Sequence, residues 1–218
     1  MKYYNAGIRI GQAAAGQMEV AVCLPPEAEA LIRKRRCREI QVGIDDGRTI
    51  SPAQRRKAYA TLGDISNHTG YTVEAAKQVM KVEHMLRTGA DGLLSLADCT
   101  MTDAREFINT LMEYALKEGI ILTESGLKRT DDIDAYLIQC IRHRRCCICG
   151  QAAELHHVDA IGMGNDRRQV DDSKKRMAAL CRKHHTIAHQ RGWERFSDSY
   201  KVYGIERHRA EAAGGNHE

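Results

Sequence analysis

The sequence predicts an α+β protein with a mixed strand and helix region over residues 1–125, a Cys/His-rich module over 126–193, and a C-terminal extension over 194–218 ending in a disordered tail. Three observations carry this prediction. Short apolar stretches bounded by turn residues come first. Helical periodicity with capping residues recurs between residues 51 and 119, and two closely spaced pairs of metal-binding residue types follow.

A composition of 43% hydrophobic and 28% charged residues in a 218-residue chain excludes a disordered protein and suits one good core or two small ones. No run approaches the roughly 18 consecutive apolar residues of a membrane span, and the N-terminus lacks the basic, apolar and small-residue succession of a secretory signal. A cytoplasmic protein with no membrane partner is the expectation. Thiols stay reduced in that compartment, so the eight cysteines do not form a disulfide framework and the clustered ones suggest metal. Cys146, Cys147, Cys149 and Cys181 lie near the C-terminal histidines. Cys23, Cys37, Cys99 and Cys140 stand apart and read as buried small apolar residues.

In the N-terminal region, Met18 to Leu24, the Pro25-Pro26 turn, and Glu39 to Ile44 before Asp46-Gly47 predict short strands around one helix. The basic run Arg33, Lys34, Arg35, Arg36 and Arg38 reads as a solvated helix end, with phosphate contact as the second reading. Ser51 caps a helix over about residues 52–67 that has Pro52 at its first position and Tyr59, Leu62 and Ile65 inward. Thr72 caps the next, to about Leu86, with Val73, Ala76, Val79, Met80 and Val82 on its buried side. A third starts at Thr102, repeats Phe107, Ile108, Leu111, Met112 and Ala115 at helical spacing, and stops at Gly119. Leu122 to Thr130 reads as a linker. Thr130 then caps a helix opened by Asp131 and Asp132, whose charge suits the positive end of the dipole, and lined by Ile133, Tyr136, Leu137, Cys140 and Ile141.

Cys146-x2-Cys149 and Cys181-x2-His184 are two pairs of zinc-ligand type, and a spacing of two lets a tight turn present both donors to one tetrahedral ion. Gly150 suits that turn, and the 31 residues between the pairs can hold a hairpin-like excursion. Cys147 with Cys149 is the alternative pairing, though the spacing from Cys146 gives the better turn. His156 and His157 follow a short apolar approach, so on a strand they point to opposite sides and one can hold a metal while the other faces water. His185 and His189, at i, i+4 on a helix, can grip one ion. Trp193 reads as packing behind that helix.

Residues 126–192 carry 13 Lys/Arg against 8 Asp/Glu, so the positive excess sits with the histidines and favours a polyanionic substrate. Arg144, Arg145, Arg167, Arg168 and Lys183 flank the histidines and are candidates for DNA backbone contact.

The segments CCICG, ELHHVD and LCRKHHTIAHQRG together resemble the HNH, or ββα-metal, endonucleases with the double-histidine and H-x3-H arrangement of the colicin DNases, over about residues 144–193. The resemblance implies His156, His185 and His189 as ligands of a catalytic divalent ion (Mg, Mn, Ni or Zn), His157 as general base, and Cys146, Cys149, Cys181 and His184 around a structural zinc. It implies hydrolysis of DNA to 5′-phosphate and 3′-hydroxyl ends. One departure falls at Arg176, where many HNH proteins carry an Asn five residues before the LC cysteine, which opens the ligand set to Asn165 or Asp166. The run from ISPAQRRKAYATLGDISNHTGYTVEAAKQVMK through SLADCTMTDAREFINTLMEYALKEGI also resembles prophage HNH nucleases whose leading region is similar to NinB, or Orf, recombination proteins. That implies duplex, single-stranded or branched DNA as substrate, with phage recombination proteins and a second copy of the chain as candidate partners. The competing readings are a non-cleaving, zinc-containing DNA-binding recombination mediator and a bare zinc-ribbon interaction domain.

Overall fold

The computed structural model describes residues 7–12, 18–35, 47–159 and 174–212. Strands β1 (Gly7–Gln12) and β2 (Met18–Cys23) pair antiparallel, Gly7 opposite Cys23, and helix α1 (Pro26–Arg35) follows the two prolines. The expected strand at Glu39 to Ile44, together with Arg36, Cys37 and Arg38, lies outside the described residues. So do Asn165, Asp166, Arg167 and Arg168.

Three capped helices then supply the core's largest side chains before residue 125. In α2 (Pro52–Thr69) Ser51 and Gln54 form a reciprocal capping box, each side chain accepting the other's backbone N–H, and left-handed Gly70 ends the helix. Thr72 caps α3 (Val73–Thr88). Helix α4 (Met101–Glu118) starts one residue earlier than the sequence suggests, because Thr100 is the extended cap residue and accepts the Asp103 N–H at 3.0 Å. Leu62, Ile65, Met80, Phe107, Ile108, Leu111 and Met112 are buried between these helices.

The inward face of α3 differs from the expected one. Ala76, Met80 and His84 are buried, whereas Val73, Val79, Val82 and Leu86 are exposed. A polar residue holds the third core position because the His84 Nδ1 lies 2.9 Å from the Thr110 hydroxyl and its ring meets Phe107 edge-on. Burial, followed by the nearby Arg87, pushes the His84 pKa down to about 4. Tyr59 is likewise more exposed than expected, with the Lys77 ammonium over its ring. Of the isolated cysteines, Cys140 is buried, Cys99 half-buried and Cys23 exposed.

The segment read as a linker is ordered and docked. It contains the short helix α5 (Gly126–Arg129), and the buried Arg129 guanidinium reaches Asp64 of α2 and donates to the Thr123 hydroxyl. Asp132, rather than Thr130, caps helix α6 (Ile133–Arg142) by accepting the Ala135 N–H. Beyond α6 come β3 (Glu154–His157), β4 (Arg176–Leu180), α7 (Arg182–Arg191), α8 (Trp193–Tyr200), β5 (Ile205–Glu206) and α9 (Arg207–Ala212). The three strands form one antiparallel sheet in the order β3-β4-β5, and α6 packs against both α4 and β4. Helix α9 carries regular structure to Ala212, two residues beyond Ala210, after which the sequence reads as a disordered tail. One hydrophobic cluster runs from Ile50 to Ala210, on both sides of residue 125. Among the described residues no helix is long and apolar enough to cross a membrane.

Gly126 tests the docking of α5. A Cβ there would lie 2.2 Å from the Tyr136 hydroxyl and 2.4 Å from its ring, and Tyr136 is itself buried. Gly126→Ala is therefore expected to destabilise the fold by about 1–3 kcal/mol in urea titration, as overpacking does; a flexible linker would tolerate it.

Candidate metal centres

The way α6 ends delivers the first pair of donors. Arg144 takes a left-handed conformation (φ 52) and the Arg145 N–H returns to the Cys140 carbonyl at 2.9 Å. The chain is thereby turned into a knuckle in which Cys146 N–H donates to Gln151 and Gly150 N–H to Cys146, with Gly150 at φ +73. The Cys147 N–H donates to the Ala179 carbonyl, tying the knuckle to β4. The second pair sits on the first turn of α7, where Cys181 is the N-cap residue and His184 lies one turn on.

These two turns bring Cys146, Cys149, Cys181 and His184 together. The His184 Nδ1 lies 3.4, 3.7 and 3.2 Å from the three sulfurs, and Cys149 and Cys181 Sγ are 3.7 Å apart. A tetrahedral ion with Zn–S near 2.3 Å and Zn–N near 2.0–2.1 Å sets donor–donor edges of about 3.5–3.8 Å, so the donor set fits zinc. Cys147 is buried but outside this cluster, and burial pushes its thiol up. Burial also raises Cys146, to about 12, and Cys149. At Cys181 burial is outweighed by the His184 N–H and the neighbouring thiols, and its pKa falls below the ordinary value.

His156, His185 and His189 form a second cluster, each offering a ring nitrogen within 4.8 Å of the others. Strand β3 pairs His156 with Ala178 and His157 with Met177. The alternation buries His156 against α7 and leaves His157 exposed on the other side. On α7 the Nε2 atoms of His185 and His189 face each other at 3.1 Å. Burial, then the charges of His185, His189 and His157, hold the His156 pKa down at about 4, so its imidazole is neutral at pH 7. Its buried Nδ1 has no hydrogen-bond partner. Three imidazoles with converging ring nitrogens, one of them a buried neutral ring with a nitrogen left unpartnered, make a donor set that fits a divalent ion.

One partner of this cluster, Glu154, was not singled out in the sequence, while Trp193, read there as packing behind the helix, packs on the cluster itself. Glu154 Oε2 lies 3.2 Å from His185 Nδ1, so the carboxylate accepts that N–H and leaves the Nε2 lone pair toward the cluster. The signal for Glu154 was the strand period, which puts it on the same face as His156. Trp193 packs flat on His156, with ring centroids 5.3 Å apart at 23°. Trp193, Phe196 and Tyr200, spaced i, i+3, i+7 on α8, stack in succession, and Tyr200 meets His184 edge-on. An unbroken row of rings thus joins the two clusters.

The flanking cations divide. Arg144 and Lys183 are exposed. Arg145 is instead committed to the end of α4, its Nε donating to the Leu116 carbonyl at 3.1 Å and its guanidinium lying over Gly119.

A family model described as "Putative HNHc nuclease" matches residues 21–210 of the chain. A search of curated proteins and a search of solved structures found no match.

The geometry separates two of the buried cysteines in a way metal analysis can read. Cys181→Ala is expected to lose bound zinc and melt at lower temperature, whereas Cys147→Ala keeps zinc at the wild-type ratio, both measured on purified protein by elemental analysis and thermal unfolding.

Proposed function

We propose that the chain, which belongs to the HNHc nuclease family, is a metal-dependent endonuclease that hydrolyses DNA phosphodiester bonds to 5′-phosphate and 3′-hydroxyl ends. The observation that carries this reading is the three-histidine cluster with a fourth histidine, His157, beside it on the opposite side of β3. A zinc-stabilised binding module has no use for four such histidines outside its zinc ligands. In this reading Cys146, Cys149, Cys181 and His184 hold a structural zinc, the module is of the ββα-metal type, and His156, His185 and His189 hold the catalytic ion.

Each residue has a defined task. His157 takes a proton from water, the task a neutral imidazole performs as general base. The water oxygen then bonds to phosphorus as the bond from phosphorus to the 3′ oxygen breaks, and the leaving oxygen ends protonated. His156, His185 and His189 would hold a divalent ion, which when bound would supply positive charge against the negative charge that grows on the phosphate in the transition state. Glu154 fixes the tautomer and plane of His185, and Trp193 fixes the plane of His156. Arg144 and Lys183, with Arg167 and Arg168 from the segment between β3 and β4, contact backbone phosphates and position the duplex without reading its sequence. The likeness of the preceding region to NinB-type proteins makes recombination intermediates of phage DNA the substrates to compare.

The test sets wild type against His157→Ala on plasmid, single-stranded and branched DNA, with EDTA and with added Mg, Mn, Ni or Zn. Loss of a general base should lower the rate by about 10²–10⁴-fold with zinc content unchanged. Wild-type DNA binding without cleavage under every metal would replace the nuclease with the recombination-mediator reading.

A further inference from the structure

Immediately beyond His157 the hairpin is closed by an unusual concentration of hydrogen bonds on one carboxylate. Asp159 Oδ2 accepts the backbone N–H of Arg176 at 2.8 Å. Its two oxygens also take the guanidinium, at 2.7 Å from Nη2 and 3.1 and 3.2 Å from Nε. The pair sits just past the final register pair of the two strands, His157 opposite Met177, and Val158 N–H donates to the Arg176 carbonyl between them. The residue leading into β5 backs it, because Gly204 lies so close that a Cβ would meet Arg176 Cβ at 2.8 Å and Val158 Cγ2 at 2.9 Å.

From this arrangement we infer that Asp159 and Arg176 form a clamp that positions His157, holding the end of β3 so that the imidazole keeps one orientation toward the scissile phosphate. This rests on the nuclease reading of the site. Two observations distinguish the clamp from a phosphate contact or a stabilising ion pair. Arg176 is already met by acid: Asp159 is bonded to it, Glu206 is its register partner on β5, and Glu194 and Asp198 line the same cleft of about 510 Å³. A phosphate would enter that cleft against several carboxylates. The Arg176 and Asp159 side chains are also 51% and 34% exposed, and an ion pair so accessible to water adds little to global stability. Its bidentate geometry acts locally, on the strand end that carries the base.

The residues differ from the metal-binding histidines in what their loss should do. Arg176→Ala, Arg176→Lys, Asp159→Asn and the double variant Asp159→Asn/Arg176→Ala would be compared with wild type for kcat, KM and DNA affinity, with zinc content and melting temperature alongside. Misplacing a catalytic group by a fraction of an ångström to an ångström costs about 10–100-fold. The clamp predicts a kcat loss of that size in all three single variants, unchanged KM, and a double variant no worse than the singles, since each removes the same contact. Loss of DNA affinity confined to the Arg176 variants, with Asp159→Asn cutting like wild type, would overturn it in favour of a phosphate contact.

Amide hydrogen exchange at His157 and Val158 provides the second readout, independent of cleavage. Faster exchange there in each variant, with the helices protected as in wild type, supports the clamp even if no DNA is cut, in which case the nuclease reading alone fails; unchanged exchange overturns it.

Discussion

Three sulfurs and one nitrogen converge at the first turn of α7, and the placing of His185 and His189 in the candidate active site follows from how that turn is anchored. Helix α7 is ten residues long, reads RKHHTIAHQR, and has no side-chain hydrogen bond at its N-cap. So short and polar a helix is marginal by itself. It is anchored where Cys181 and His184 converge with Cys146 and Cys149, and along its length by Ala188 against the core. Successive residues on a helix are about 100° apart, at 3.6 residues per turn, so placing His184 in one cluster aims His185 at the other. His189 follows one turn later on the same face.

The opposite wall of the site is tied to the same anchor by different means. Cys147 bonds to β4 through Ala179, and β4 fixes β3 in the register that turns His156 inward. The rings of α8 then run from His156 through Trp193, Phe196 and Tyr200 to His184, at centroid separations of 4.7–5.7 Å, within the range of about 4.5–7 Å in which aromatic pairs attract. Disturbing either cluster should be felt at the other, because strand, helix and ring row are three separate connections between them.

Much of this was legible in the sequence where the signal was local. Ser51 and Thr72 announced their helices through capping chemistry, and the x2 spacings of the cysteines and the i, i+4 spacing of His185 and His189 named the residues that converge. What escaped depended on partners far away in the chain. The buried face of α3 was misread because Thr110 and Phe107 make a core position acceptable to His84, while Val79, Val82 and Leu86 stay exposed. The segment near Gly126 looked like a linker because nothing local shows that Arg129 will meet Asp64 of α2. Arg145 looked like a phosphate contact because a basic residue beside histidines gives no hint that a helix carbonyl will take it.

Two candidate metal centres share α7, and Trp193, the one tryptophan in the chain, reports on the second directly because it stacks on His156. The measurement is Trp193 fluorescence during titration of zinc-loaded protein with Ni²⁺, with zinc content followed in parallel. Saturable quenching by a single equivalent of Ni²⁺ while zinc stays bound is the result this account predicts. Emission that does not change, or that falls only in step with released zinc, would contradict it.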